Sequence, residues 1–217
     1  MKKLTGSIVA LITPFTESGE VNFEKLGELI EWHIKNGTDG ILVLGTTGEA
    51  VTMSHEENAD VCRYAVEKVA GRVPVIAGSG SNCTQTMLEK SLEYQALGAD
   101  ALLIISPYYN KANPEGMYRH FKTVADNVNI PCILYNVPGR TGCSIPESVV
   151  ARLSKHPNIM GIKEASGDIA YTARIARYVS EDFVMYSGND DQVLPVLSLG
   201  GSGVVSVYAN IMPKETH

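Results

Sequence analysis

CILYNVPGRTGCSIPESVVARLSKHPNIMGIKE, residues 132–164, decides the fold. It opens on a short apolar run, Cys132 to Tyr135, and turns through Pro138-Gly139-Arg140-Thr141-Gly142. It then enters a helical stretch at Ile145-Pro146, where proline suits a first helical position because its missing N–H would be unsatisfied there anyway. A second apolar run, Ile159 to Lys163, closes the unit. A strand, a helix and a strand in succession imply parallel pairing through a right-handed crossover.

The same unit repeats outward in both directions. Runs at Ser7 to Thr13, Ile41 to Leu44, Val75 to Ala77, Ala101 to Ile105, Phe183 to Ser187 and Val204 to Val207 bring the candidate strands to eight. Amphipathic stretches lie between them, one of them opened by a capping box of Ser54 with Glu57. Near-continuous apolar strands imply a sheet covered on both faces. The pattern predicts a (β/α)₈ TIM barrel, α/β in class, with residues 1–217 as a single domain. A doubly wound open sheet is the rival, but it usually has fewer strands and a glycine fingerprint after the first, where this chain has Pro14-Phe15-Thr16.

Composition agrees with one large core: 44% of the 217 residues are apolar and only 19% charged. The net charge of −6 comes from interspersed carboxylates, which argues against nucleic acid as a partner. Cys62, Cys83, Cys132 and Cys143 show no paired spacing, so a reducing, cytoplasmic location is expected. Met1-Lys2-Lys3 and the run after it imitate a signal peptide, but the apolar stretch is too short and no small-residue cleavage pattern follows. No run approaches a membrane span in length, and no membrane partner is expected.

In a barrel of this kind chemistry sits at the carboxyl-terminal rim. Polar residues gather there: Gly45-Thr46-Thr47-Gly48-Glu49, Ser106-Pro107-Tyr108-Tyr109, the turn after Tyr135, and Lys163-Glu164. Lys163 ends an apolar strand, where desolvation lowers an amine pKa toward the neutral form that attacks carbonyls. A strand-end lysine reaching solvent, or paired with Glu164, fits the strand pattern equally well. Tyr135 ends the neighbouring strand and could relay protons during imine formation, although a core tyrosine with a satisfied hydroxyl is the commoner role. Thr46 and Thr47 offer two hydroxyls and a glycine-exposed backbone as a nest for a small carboxylate, or form only a turn. Arg140, between Gly139 and Gly142, could grip a carboxylate through two parallel hydrogen bonds or simply be solvated.

Several partial motifs fail. Gly78-Ser79-Gly80 lacks its third glycine, since Cys83 stands there, and His55-Glu56 lacks a second ligand at Ala59. The remaining histidines have no partners at ligand spacing, so no metal is expected. Asp190-Asp191 reads as a helix start and Gly200-Gly201-Ser202-Gly203 as a tight turn.

With Gly45 to Glu49, Tyr135 to Gly142 and Gly161-Ile162-Lys163-Glu164-Ala165-Ser166-Gly167-Asp168 in this order, the sequence resembles the dihydrodipicolinate synthase family of pyruvate-dependent class I aldolases over essentially its whole length. The resemblance implies a lyase of lysine (diaminopimelate) biosynthesis that condenses pyruvate with L-aspartate 4-semialdehyde, without a cofactor. It implies an imine on Lys163 and a proton relay of Tyr135, Thr47 and Tyr109, the last lent by a neighbouring subunit of a homo-oligomer, a tetramer or dimer. Thr46 and Thr47 would hold the pyruvate carboxylate, the Gly188 and Val205 backbones would line the site, and Arg140 would meet the carboxylate of the semialdehyde. The threonine pair and Arg140 set the chain apart from the related N-acetylneuraminate lyases. That aldol chemistry, or a weakly active binding or regulatory paralogue on the same barrel, is the alternative.

Relatives inhibited by lysine bind it at a subunit interface, and His55, Asn82 and Tyr108 match that set. Thr86 stands where those relatives carry glutamate, with Asn58 and Ala50 in place of a further histidine and serine, so weak or absent lysine inhibition is expected. Ile211 to His217 read as the start of an eighth helix. Against the family, the chain is expected to lack the rest of that helix and the C-terminal helical region, leaving apolar surface wet at the barrel edge.

Overall fold

Eight parallel strands close on themselves in chain order. They are β1 (Gly6–Ala10), β2 (Gly40–Val43), β3 (Val75–Gly78), β4 (Ala101–Ile105), β5 (Cys132–Asn136), β6 (Ile159–Glu164), β7 (Val184–Ser187) and β8 (Gly203–Ser206). The computed structural model describes residues 4–217, so Met1-Lys2-Lys3, the basic part of the signal-like start, lie outside the described residues. Closure comes from β8 pairing with β1, Gly6 opposite Gly203 through Val9 opposite Ser206. The predicted TIM barrel is the fold.

The helices are α1 (Phe23–Lys35), α2 (His55–Val69), α3 (Thr84–Ala96), α4 (Pro114–Asn127), α5 (Pro138–Thr141), α6 (Glu147–Leu153), α7 (Ile169–Ala176), α8 (Val193–Ser198) and α9 (Pro213–Thr216); the longer ones cover the outside, and the single turn α5 follows β5 at the rim. None among the described residues is long and apolar enough to cross a membrane. The capping box forms as predicted, with Ser54 Oγ accepting from Glu57 N at 3.1 Å and Glu57 Oε2 accepting from Ser54 N at 2.7 Å. Pro146 sits one place earlier than expected, as the N-cap of α6 in extended backbone. Asp190 starts a 3₁₀ turn, Asp190–Gln192, that runs into α8.

The first strand is shorter than the run Ser7 to Thr13. After Ala10 the neighbouring β8 has ended and the chain has entered a 3₁₀ turn, Tyr208–Asn210. The Asn210 side chain takes over that edge, donating to Ala10 O at 2.7 Å and accepting from Ile12 N at 3.1 Å. Leu194, Val207, Tyr208 and Ile211 are exposed.

Alternation along the strands builds two apolar layers. Ile8, Leu42, Ile76, Leu103, Ile133 and Tyr186 fill the barrel interior. Val9, Ile41, Val43, Leu102, Leu134 and Ile162 face the helices. Strand β6 departs from simple alternation. Cys132 pairs with Ile159 but Ile133 pairs with Gly161, a one-residue bulge at Met160. Ile159 and Ile162 both face the helices, three residues apart, which only an inserted residue allows. The bulge thereby turns Lys163 into the barrel, opposite Tyr135. Gly161 permits it, since a Cβ there would lie 2.4 Å from Val184 O on β7.

Candidate active site

The loops at the carboxyl ends of the strands enclose a cavity of about 410 Å³ whose lining includes Thr46, Thr47, Tyr135, Arg140, Lys163 and Gly188. Lys163 lies at its floor, 5% exposed. Burial pulls its amine down to about 8, with Asp190 opposing that shift and Arg140 adding to it. Its Nζ stands 4.3 Å from the centre of the Tyr135 ring, so the two site residues delivered by adjacent strands meet. Burial pushes the Tyr135 phenol up, while Arg140 and the Thr46 hydroxyl pull it back. The pairing of Lys163 with Glu164 that the strand pattern left open does not occur, because adjacent strand residues point to opposite faces.

The threonine pair is displayed by a strained turn. Leu44 has φ of 59° and Glu49 of 55°, values that side chains disfavour. The turn is closed by Gly48 N donating to Gly45 O at 3.1 Å and Glu49 N to Thr46 O at 3.1 Å. Gly78 makes room for it: a Cβ there would lie 2.2 Å from the Leu44 carbonyl oxygen. The glycines of the failed dinucleotide motif thus serve close packing beneath the site.

Arg140 rides on the single turn α5, which Gly142 ends at φ of 73°. Its guanidinium lines the cavity and makes no ion pair among the described residues. Gly188 leaves Lys163 its space, since a Cβ there would lie 3.0 Å from Lys163 Cε. Val205 instead belongs to the barrel interior, and Val207 stands on the cavity wall after β8. Tyr109 does not reach the cavity of its own chain. It is 89% exposed, with φ of 72°.

Of the residues matched to a lysine site, Asn82 Nδ2 donates to Tyr108 O at 3.3 Å, and His55 Nε2 faces Glu93 Oε2 at 3.1 Å. Asn58 holds the preceding loop through its amide nitrogen, which donates to Ser54 O at 2.8 Å and Ala50 O at 3.0 Å, while its buried Oδ1 meets no donor among the described residues. Among the described residues, no group of three or more histidine, cysteine, aspartate or glutamate side chains could hold a metal ion.

Sequence reasoning passed over Asp190 and Asp191, which line the cavity. The signal was partial: both come shortly after the end of β7, separated from it by Gly188 and Asn189, but by themselves read as a helix start. It gave Asn136 no role and Glu164 only that of a possible partner of Lys163, whereas the two are buried beside the catalytic candidates and hydrogen-bonded to each other at 2.7 Å.

Comparison with known proteins gives one answer. The sequence model of the dihydrodipicolinate synthetase family matches residues 3–217. A 4-hydroxy-tetrahydrodipicolinate synthase of Thermoanaerobacter sp. (strain X514) is 57% identical over all of this chain and 73% of its own length. Its counterpart in Clostridium perfringens (strain SM101) is 55% identical over 98% of this chain and 72% of its own. The chloride-inhibited dihydrodipicolinate synthase of Acinetobacter baumannii, solved in complex with pyruvate, superposes with a TM-score of 0.96 at 43% identity, covering 99% of this chain and 74% of that one. By sequence and by fold, the chain belongs to the dihydrodipicolinate synthetase family.

Proposed function

We propose that the protein is a lyase that condenses pyruvate with L-aspartate 4-semialdehyde through a Schiff base on Lys163, giving 4-hydroxy-tetrahydrodipicolinate in lysine (diaminopimelate) biosynthesis. The observation that carries this reading is a buried lysine amine, drawn down to about 8, at the floor of a cavity walled by two hydroxyls, a phenol and a guanidinium.

The amine of Lys163 adds to the pyruvate carbonyl carbon, and water leaves as the imine forms. Loss of a methyl proton gives the enamine, whose carbon attacks the aldehyde of the second substrate. The amino group of that substrate then adds to the imine carbon, closes the ring and releases Lys163. Tyr135 and Thr47 move protons within the cavity, Thr46 and Thr47 hold the pyruvate carboxylate, and the planar fork of Arg140 grips the carboxylate of the semialdehyde. Tyr109, pointing away from its own cavity, completes the relay of a neighbouring copy in a homo-oligomer. The imine is the electron sink, so no metal or cofactor enters the reaction, which takes place in the cytoplasm.

Borohydride added with pyruvate should reduce the imine onto Lys163, read by peptide mass spectrometry. An adduct on another lysine, or none, would overturn the reading. Turnover with aspartate semialdehyde separates it from sialic acid cleavage and from a paralogue that only binds.

A further inference from the structure

Asn136 and Glu164 follow Tyr135 and Lys163 on their strands and pair with each other in the barrel register. Both point away from the cavity, toward the loops that lead into α6 and α7. They are 0% and 3% exposed. Asn136 Nδ2 donates to Glu164 Oε2 at 2.7 Å, and Ser166 N donates to Glu164 Oε1 at 2.6 Å. On its other side Asn136 Oδ1 accepts from Ile145 N at 2.9 Å and Ser144 Oγ at 3.3 Å. The loop clamped in this way begins at Val137 and carries Arg140. Within it Thr141 Oγ1 donates to Cys143 O at 2.8 Å, and Thr141 O accepts from Tyr109 N at 3.4 Å.

A buried carboxylate is a poor device for stability alone, because an apolar pair of similar volume would hold the strands as well. What the polar pair adds is direction. Each Glu164 oxygen meets a donor, and the Asn136 amide can satisfy Glu164 and Ile145 together in only one of its two flip states. We infer that Asn136 and Glu164 are positioning residues for the second substrate: through the loop 137–145 they set where the Arg140 guanidinium stands over the cavity. This inference rests on the function proposed above and deepens it.

Glu164→Gln tests the idea with almost no change of shape. One end of the new amide must then face a donor, either Asn136 Nδ2 or Ser166 N. Flipping Asn136 only moves the conflict to Ile145 N. The reciprocal double variant, Asn136→Asp with Glu164→Gln, repairs it. The carboxylate now at position 136 accepts from Ile145 N and from the amide nitrogen at position 164, while the amide oxygen at position 164 accepts from Ser166 N. The charge of the pair is unchanged.

The experiment measures borohydride trapping with pyruvate, and KM and kcat for aspartate semialdehyde, on the natural sequence and both variants. Trapping at Lys163 in the natural sequence must come first, and its failure sinks the proposed function. Given trapping, Glu164→Gln should raise KM for the semialdehyde about tenfold or more, with kcat and imine yield within about threefold, and the double variant should recover most of the KM. An unchanged KM, or a KM defect the double variant does not reduce, overturns the inference. If Glu164→Gln does not fold, Ser144→Ala replaces it, cutting one bond to Asn136 outside the buried pair. A KM rise of about two- to threefold is then expected, and none overturns the inference.

Discussion

Lys163 shows how a single side chain acquires its chemistry. At about 8 its amine is poised where a useful neutral fraction exists near neutral pH, and burial is the largest cause. Imine formation needs the neutral amine, so its rate should climb as pH rises toward about 8 and level off above it. The neighbours make this limb adjustable. Arg140 pushes the amine pKa down, so Arg140→Ala should move the limb to higher pH, besides damaging use of the semialdehyde. Asp190 pushes it up, so Asp190→Asn should move the limb to lower pH. Pre-steady-state trapping rates with pyruvate between pH 6 and 10, roughly the range that spans the ordinary and shifted lysine values, read both shifts. Movement in the same direction for both variants would contradict the electrostatic assignment.

Strand β6 is the element on which the site depends. Its inward lysine requires the bulge at Met160, and the bulge requires a residue without a side chain at Gly161, where β7 approaches closely. Gly161→Ala would drive a methyl into Val184 O, forcing β6 and β7 apart or ironing out the bulge. Overpacking of this kind costs about 1–3 kcal/mol. If the bulge is lost, the strand slips by one residue and Lys163 turns toward the helices. The expected result is a urea midpoint lowered in keeping with that cost, and a disproportionate loss of pyruvate trapping. A destabilised variant that traps pyruvate normally would show that the lysine's direction does not depend on the bulge.

At the scale of the whole molecule, the exposed Tyr109 and the buried histidines make separate predictions. If Tyr109 serves the cavity of a neighbouring copy, then Lys163→Ala and Tyr109→Phe, each feeble alone, should complement when mixed and reassociated. A mixed pair holds one site with both an intact lysine and an intact tyrosine. Absence of any activity gain in the mixture would place the relay elsewhere. His33 is 0% exposed with neither ring nitrogen hydrogen-bonded among the described residues, and burial pulls it from 6.5 down to about 4. His120, bonded through Nδ1 to Thr84 Oγ1 at 2.8 Å, is likewise pulled to about 4. Between about 4 and 6.5 the unfolded chain binds more protons than the folded one, so stability rises with pH across this window and falls on acidification. The full effect is on the order of 3 kcal/mol per imidazole. Glu164, whose carboxyl is pushed up by burial, works in the opposite sense. His33→Leu isolates one contribution: urea melts at pH 7 and about pH 5 should differ less in the variant than in the natural sequence. An undiminished pH dependence would mean that His33 is not buried neutral.

The barrel and most of the cavity's residues were legible in the sequence alone, because both follow from local rules. Apolar runs alternating with capped helices imply a parallel sheet, eight of them without a glycine fingerprint after the first point to a closed one, and strand ends are where such a sheet places polar groups, so Lys163, Tyr135, Thr46, Thr47 and Arg140 could be named from their positions after apolar runs. Tertiary structure decided what depends on contacts between distant segments. The bulge at Met160 is invisible in the order of residues, since it exists only in the pairing of β6 with β5, yet it determines which face Lys163 takes. Asp190 read locally as a helix start, and only closure of the barrel brings it to the cavity that holds the lysine. Glu164 and Asn136, separated by the whole of α6, became partners because adjacent strands carry them to the same height, and a buried hydrogen bond has no signature in either segment by itself.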